Sequence, residues 1–335
     1  MGVTSKDIAR VLEISQSTVS RALRGDPRVS AATIARVLEV AERMHYTPNL
    51  AARSLITRRT SIIGVVVSDI TNPFYPELVE ILHNEFALVG YRTILLNERT
   101  DARLERYVSE LIGGGAVDGL VYASAVLDAP LLGAATGRIP IVLLNRSSDW
   151  VEADTVVSDN VGGGRLAADL FVRHGHRRVA LITGPENTST ARDREVGFRE
   201  RLEAAGMPLD PHLRRVGRFS HESGYHWCLE LLARDPRPTA IFAANDLIAL
   251  GVLDAARRLG LRVPEELSVI GFDDIDMARW EGFSLTTIRQ PLAEMSRTAA
   301  SLLLGRLSAD EPPPARTRVF PVEAVLRRTL GPAPD

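Results

Sequence analysis

Two spacings of apolar residues divide the chain near residue 61. Before it, apolar positions recur at helical intervals: Ile8, Val11 and Leu12 behind Thr4, then Val19, Ala22 and Leu23 behind Ser15, then Ile34, Val37, Leu38 and Ala41 behind Ser30. Spacing of three and four places such residues on one helical face, and Thr4, Ser15 and Ser30 carry oxygens that accept from the open amides of a first turn. The pattern predicts three short helices around one small core, the second over 16–24 and ended by Gly25. The outer side of that second helix holds Ser17, Ser20, Arg21 and Arg24. Pro48 then breaks the pattern, and the segment 49–60 is shorter than the about 12 to 15 residues that an isolated helix needs. It reads either as a flexible linker or as a helix that forms only when buttressed.

From Ile62 the rhythm changes. The runs IIGVVV, TILL, GLVYA, IVLL, TVVS, RVALIT, TAIFAA and SVIGF alternate, for the most part, with amphipathic helical stretches. Such alternation predicts an α/β body of parallel sheets covered by helices on both faces, with ligands bound beyond the carboxyl ends of the strands. The residues at those ends are Asp69, Asn97, Ser124, Asn145 with Arg146, Asp159, Asn245 with Asp246, and Asp273 with Asp274. Taken singly, Asp159 and Asp246 serve equally well as N-caps of the helices they precede. Seven polar strand ends together point to a site.

The chain has 335 residues, 45% hydrophobic and 24% charged, which is enough for two or three domains and argues against wholesale disorder. Its net charge of −2 conceals an asymmetry: residues 1–60 hold ten Lys or Arg against five acids, +5, so the remainder is −7. A basic head on an acidic body is the footprint of a polyanion-binding module. A three-helix bundle with a merely solvated basic face is the plainer alternative. With the head pattern, the charge instead suggests a helix-turn-helix whose second helix enters the major groove of DNA. Gln16, Ser17 and Arg21 are then placed for base edges, with glutamine matched to adenine and arginine to guanine, and Lys6, Thr18 and Arg24 for phosphates.

No basic-then-apolar segment opens the chain and no run of about 18 apolar residues occurs, so a cytoplasmic protein with no membrane segment is expected. Cys228, the one cysteine, lies between Trp227 and Leu229 and is expected to be buried. The seven His show no ligand spacing, and neither a metal nor a cofactor is expected. The clustered carboxylates Asp273 and Asp274 could serve an enzyme, but the sequence lacks GxSxG, GxxxxGK[ST] and HExxH motifs, which argues against one.

The segment VTSKDIARVLEISQSTVSRALRGDPRVSAATIARVLEVAERMHYTPNLAARSL resembles the DNA-binding head of the LacI/GalR family. Further along, SDITNPFYPELV, VDGLVYAS, VSDN, RDREVGF, PTAIFAANDLIALG, SVIGFDD and SLTTIRQP are similar to that family's effector-binding core, which shares the two-lobed fold of periplasmic sugar-binding proteins. The resemblance implies a head over 1–48 and a hinge helix and linker over 49–61. The body then spans 62–335, with one lobe near 62–158 and 288–320 and the other near 159–287 and 321–330. It implies DNA contacts from Asn49, Ala52 and Arg53, with Leu55 as a wedge in the minor groove. It also implies effector contacts from Asp69, Phe74, Arg146, Asp159, Arg194, Phe219, Asn245 and Asp273, a set suited to a polyol: donors and acceptors for hydroxyls, and an aromatic for the C–H face.

The expected partners are a palindromic double-stranded operator, a small sugar-like effector and a second copy of the chain. The sequence shows no leucine-heptad tail, which favours a dimer over a tetramer. It departs from the family at GGGAVDG, where a bulky or basic residue usually precedes VDG. Control by a phosphorylated sugar, a purine or a partner protein is the alternative within the class. A periplasmic solute-binding protein would suit the body alone but not the basic head.

Overall fold

A computed structural model describes residues 3–23, 25–46, 59–97, 111–129, 132, 137–311 and 313–334. Contacts divide the chain into a head, Met1–Thr60, and a body, Ser61–Asp335.

The head consists of α1 (Ser5–Leu12), α2 (Gln16–Ala22) and α3 (Ala31–Arg43). Each begins at its predicted cap. The Thr4 amide donates to Asp7 Oδ2 at 2.9 Å, Ser15 Oγ accepts from the Thr18 amide at 3.1 Å, and Ser30 Oγ accepts from the Thr33 amide at 3.2 Å. Each such cap contributes about 1 kcal/mol, which matters for helices of 7 to 13 residues. Ile8, Ala9, Val19, Ala22, Val37, Val40 and Ala41 form the core. Two details differ from the sequence pattern. The buried stripe of α3 runs through Val37, Val40 and Ala41, leaving Leu38 half exposed, because the helix turns the i, i+3, i+4 set beginning at Val37 inward. Val11 likewise faces outward, and α2 ends at Ala22, short of residue 24, with Gly25 at φ +66°. Arg24 and the expected hinge residues Asn49, Ala52, Arg53 and Leu55 lie outside the described residues.

In the body, β1 (Ile62–Val67), β2 (Arg92–Asn97), β3 (Gly119–Tyr122), β4 (Ile141–Leu144) and β5 (Asp154–Ser158) belong to a first six-stranded sheet. A second contains β6 (Val179–Thr183), β7 (Arg214–Val216), β8 (Ala240–Ala243), β9 (Ser268–Asp273) and β10 (Thr286–Arg289). The last two strands, β11 (Thr317–Phe320) and β12 (Glu323–Val325), complete the first and second sheets respectively. The first sheet, ordered β11-β5-β4-β3-β1-β2, is wholly parallel. The second, β12-β10-β9-β8-β6-β7, is parallel except where β12 runs against β10. Every residue of β3, β4, β6 and β8 is buried, as expected of parallel strands covered on both faces.

Among the described residues the covering helices include α4 (Phe74–Leu88), α5 (Asn160–Arg173), α6 (Ser189–Ala204), α7 (His221–Leu232), α8 (Asp246–Arg258) and α9 (Leu292–Ser308). The chain passes between the two sheets three times: after Ser158, at Gln290–Pro291 and after Phe320. The second passage falls beyond the expected boundary at 288, because β10 keeps its ladder with β9 through Arg289. Returning to the first sheet, α9 is anchored by Arg306, whose Nε donates to the buried Asp154 carboxylate at the start of β5.

The helices of the second lobe pack in pairs through glycine. A Cβ on Gly164 of α5 would meet the Arg194 carbonyl of α6, and one on Gly197 of α6 would meet the Val161 carbonyl of α5. Gly224 of α7 and Gly251 of α8 repeat the arrangement against the Ile248 and His221 carbonyls. The first contact sets the height of Arg194 on α6. Gly197→Ala is therefore expected to separate α5 from α6 and lower stability by about 1–3 kcal/mol, the usual cost of overpacking. Denaturant unfolding of parent and variant checks this; equal midpoints would disprove the close helix approach.

Candidate functional site

The body's polar centre forms where strand ends of the two lobes meet. Arg194 projects from α6 into it and is 2% exposed. Its Nε donates to Asn160 Oδ1 at 2.8 Å and one terminal nitrogen to the Ala244 carbonyl at 2.6 Å. The other terminal nitrogen lies 3.2 Å from Asp273 Oδ1, and the guanidinium stacks 3.6 Å from the centre of the Phe272 ring. Asp273, at φ +117°, also accepts from Gln290 Nε2 at 2.8 Å, and Gln290 Oε1 accepts from Ser158 Oγ at 2.6 Å. One network thus joins the first and second chain passages between the lobes.

Burial dominates the electrostatics here. It pushes the Asp273 carboxyl up to about 6 despite the neighbouring Arg194, and it lowers the Arg194 guanidinium despite Asp273. Burial also raises Asp246 well above the carboxylate range, with the Asp273 charge adding to it. Asp246 is an internal brace: it accepts from Thr287 Oγ1 at 2.5 Å and from the Ile275 amide at 2.9 Å. In the Arg194–Asp273 pair desolvation outweighs attraction at both ends, so the pair contributes little net stability, yet losing one partner strands the other.

Across the cleft, Arg146 is 7% exposed, with its guanidinium 5.6 Å from the centre of the Phe219 ring. One of its nitrogens reaches the Ser124 carbonyl at 3.4 Å, while its Nε has no partner. Beside it Asn145 sits at φ +71° with its Oδ1 unpartnered, and Thr183 Oγ1 at the end of β6 is also buried without a partner. The lobes touch nearby: the Leu127 amide donates to the Asn187 carbonyl and the Ser147 amide to Ser189 Oγ, each at 2.9 Å. A groove of 390 Å³ lies on another side of α6, lined by Glu195, Arg199 and Arg214 among others. Arg214 and Arg199 there already face Glu195 or Glu186, so that groove holds no buried unsatisfied cation.

Of the eight expected effector contacts, the structure gathers four around this centre: Arg194 with Asp273, and Arg146 with Phe219. Asn245 is next to it and caps α8, its Oδ1 accepting from the Ile248 amide at 3.0 Å. Phe74 is buried at the start of α4, edge-on to Tyr75. Asp69 closes a local turn with Thr71, and Asp159 is exposed and caps α5 through the Gly162 amide at 2.8 Å. For Asp159 the cap reading describes what its carboxylate does, and the buried neighbour Asn160 holds Arg194 instead. Ser158, Asn160 and Gln290 were missed because they sit at passages between lobes, not after an apolar run followed by a charge. The one available signal was Gln290 between a strand-like TTIR and Pro291.

On the head, Lys6, Gln16, Ser17 and Arg21 are exposed and Thr18 is half-buried. Gln16 Nε2 donates to Ser5 Oγ at 3.1 Å, which ties the start of α2 to α1. Ser17 and Thr18 hydroxyls lie 2.7 and 2.8 Å from Ser15 Oγ, so both belong to the cap of α2.

A helix-turn-helix unit with a basic outer face, joined to a two-lobed α/β body, defines a DNA-binding regulator. Residues 4–49 match the lacI family of bacterial regulatory proteins, and residues 168–330 match a periplasmic binding protein-like domain. The regulator DegA of Bacillus subtilis is 35% identical over 99% of both chains, and the repressor PurR of Yersinia pestis is 32% identical over 99% of this chain and 98% of its own. Among solved structures, a lac repressor dimer bound to operator and an anti-inducer aligns with TM-score 0.87 at 28% identity, over 98% of this chain and 99% of that one. A CelR–cellobiose complex aligns with TM-score 0.75 at 31% identity over the same shares. The chain belongs to the LacI family and is a DNA-binding transcriptional regulator, not an enzyme.

Two outcomes follow from the geometry of the centre. Arg194→Met leaves Asp273 buried without its cation and is expected to cost about 3–5 kcal/mol in unfolding free energy; a loss below about 1 kcal/mol would show that the pair does not brace the lobe. Because Asp273 titrates near 6 when folded, against about 3.9 unfolded, the folded state binds the extra proton between those values. Its contribution is full below about pH 4 and fades as pH rises through 6, by about 3 kcal/mol. Asp273→Asn should accordingly show a smaller fall in stability than the parent between about pH 4 and 7, and parallel profiles would refute the raised carboxyl.

Proposed function

We propose that the protein is a homodimeric repressor that binds a palindromic operator through its heads and is controlled by a sugar-like molecule held between the lobes of its body. The observation that carries this reading is the desolvated polar centre at the strand ends. Arg146 and Asn145 present buried unsatisfied atoms there, beside the Arg194–Asp273–Gln290–Ser158 network. A hydroxylated ligand supplies the missing acceptors and donors, and Phe219 offers a ring for its C–H face. The solved relatives include a complex with cellobiose and a regulator from Enterococcus faecium with bound ribose, which supports a carbohydrate effector.

Gln16, Ser17 and Arg21 are assigned to base edges and Lys6, Thr18 and Arg24 to the phosphates, with 49–55 as a hinge whose Leu55 enters the minor groove. The effector acts by differential affinity: a ligand that bound both lobe arrangements equally would shift nothing. Ser158 and Gln290, on two passages between the lobes, couple the occupied centre to the relative placement of the lobes.

The test measures operator binding with and without effector, and effector binding with and without operator. A panel of sugars screened by thermal shift supplies the effector, since a ligand at about 100 times its dissociation constant stabilises by about 2.7 kcal/mol. Linkage requires the two coupling factors to be equal, and effector affinity that is indifferent to operator would exclude the allosteric reading. In the head, Arg21→Ala should cost about 1–3 kcal/mol at the preferred operator and relax base preference at one position per half-site. Selection from a randomised operator pool reads this directly; an unchanged preference removes Arg21 from base recognition.

A further inference from the structure

The 390 Å³ groove beside α6 lies between that helix, the residues that follow β6, and β7. Arg192, Glu195, Val196 and Arg199 are spaced by three and four along α6 and share its groove face, which leaves Arg194 on the opposite face, toward the interlobe centre. The groove is therefore separate from that centre, with α6 standing between them.

Its charges are spent on one another. Arg214 Nε and Nη2 donate to the two oxygens of Glu195 at 2.6 and 2.9 Å, and Nη2 also donates to Glu186 at 2.9 Å. Arg199 lies 3.7 Å from the same Glu195 carboxylate, Arg192 is held by Asp193 at 2.7 Å and Glu200 by Arg165 at 2.6 Å. Glu203, the remaining charge, is exposed and keeps its hydration. What is left unspent is neutral. Thr183, the last residue of β6, lines the groove at 1% exposure, and its Oγ1 has no hydrogen-bond partner. Val196 is an apolar side chain left 40% exposed between Arg192 and Arg199.

An ion entering this groove would have to break an internal pair, and a purely apolar ligand would strip the pairs of water and leave the Thr183 hydroxyl unsatisfied. A polyol does neither. Neutralised guanidinium and carboxylate pairs still offer donors and acceptors to hydroxyls, and Val196 offers an apolar surface to the C–H face. We infer that the groove is an accessory site for a neutral sugar, whose hydroxyls bond Thr183 Oγ1 and the Arg214–Glu195 pair. Its wall is shared with the effector centre. A Cβ on Gly184 would collide with the Phe219 ring, which on the cleft side lies 5.6 Å from the Arg146 guanidinium.

Calorimetry with glucose, galactose, ribose and cellobiose compares the parent with Thr183→Val, Val196→Gln and Arg146→Gln. At least one of these sugars is expected to show a binding event that Arg146→Gln preserves and Thr183→Val weakens roughly 2- to 12-fold, the worth of one neutral hydrogen bond. Val196→Gln should abolish the same event by laying a longer side chain across the groove, and hydrogen exchange of the complex should show protection over 183–187 and 191–203. Events lost with Arg146→Gln and untouched by Thr183→Val belong to the cleft. If every event is of that kind the accessory site is refuted while the sugar reading of the cleft stands, and if no sugar binds both fall. Groove binding without any event sensitive to Arg146→Gln upholds the accessory site and removes the sugar reading of the cleft. Without ligand, Thr183→Val should melt at or above the parent, because it keeps the shape and removes an unpartnered buried hydroxyl; a clear drop would show that the hydroxyl is already satisfied and would overturn the proposal.

Discussion

A guanidinium placed where water is excluded has to be surrounded by acceptors, and Arg194 imposes that demand on the body. Its acceptors come from the first residue of α5, the end of β8 and the end of β9, three elements far apart in sequence. Asp273 answers the demand only because its backbone adopts a left-handed conformation that turns the carboxylate toward α6 and Gln290. Gln290 in turn stands on one passage between the lobes and bonds Ser158 on another. The close α5–α6 packing through Gly164 and Gly197 sets the depth from which Arg194 reaches this point. The lobes are thereby tied to the same few atoms that a ligand between them would compete for.

This arrangement suits a regulator. A structural ion pair in water adds little, but a desolvated pair and unsatisfied polar atoms beside it form a preorganised site whose groups are already stripped of solvent. Arg146 Nε and Asn145 Oδ1 are each buried without a partner, and the Ser158–Gln290 hydrogen bond beside them links two passages between the lobes. The head follows a separate logic: caps and a seven-residue core hold three short helices, leaving the outer face of α2 polar and the unit basic.

The elements legible in the sequence are those with strong local signals. Thr4, Ser15 and Ser30 announce the head helices, and eight apolar runs mark eight strands, because a parallel strand covered on both faces is apolar throughout. The strands that escaped notice are β7, β11 and β12, at sheet edges and at most partly buried, and the threonine-rich β10. Edge strands owe their place to ladder hydrogen bonds from a neighbour, and that leaves no hydrophobic periodicity. Leu38 illustrates the converse: a leucine at helical spacing that the packing of α3 leaves outside.

The candidate site divides in the same way. Strand-end position and residue type alone mark Arg146, Asn245 and Asp273 as candidates, and a polar residue after an apolar strand is a feature of local order. Local order does not decide which of these groups are free. Asn245 and Asp159 spend their oxygens on helix caps, Asp246 braces a strand and a turn, and among the described residues Arg146, unlike the other buried arginine, Arg194, has no carboxylate ion pair. The sequence by itself determined the class of fold, the basic head and the residue types gathered at the strand ends. Only the tertiary structure decided which charges are paired, because pairing depends on distances between side chains brought from α5, α6, β8, β9 and the lobe passages, which no spacing along the chain encodes.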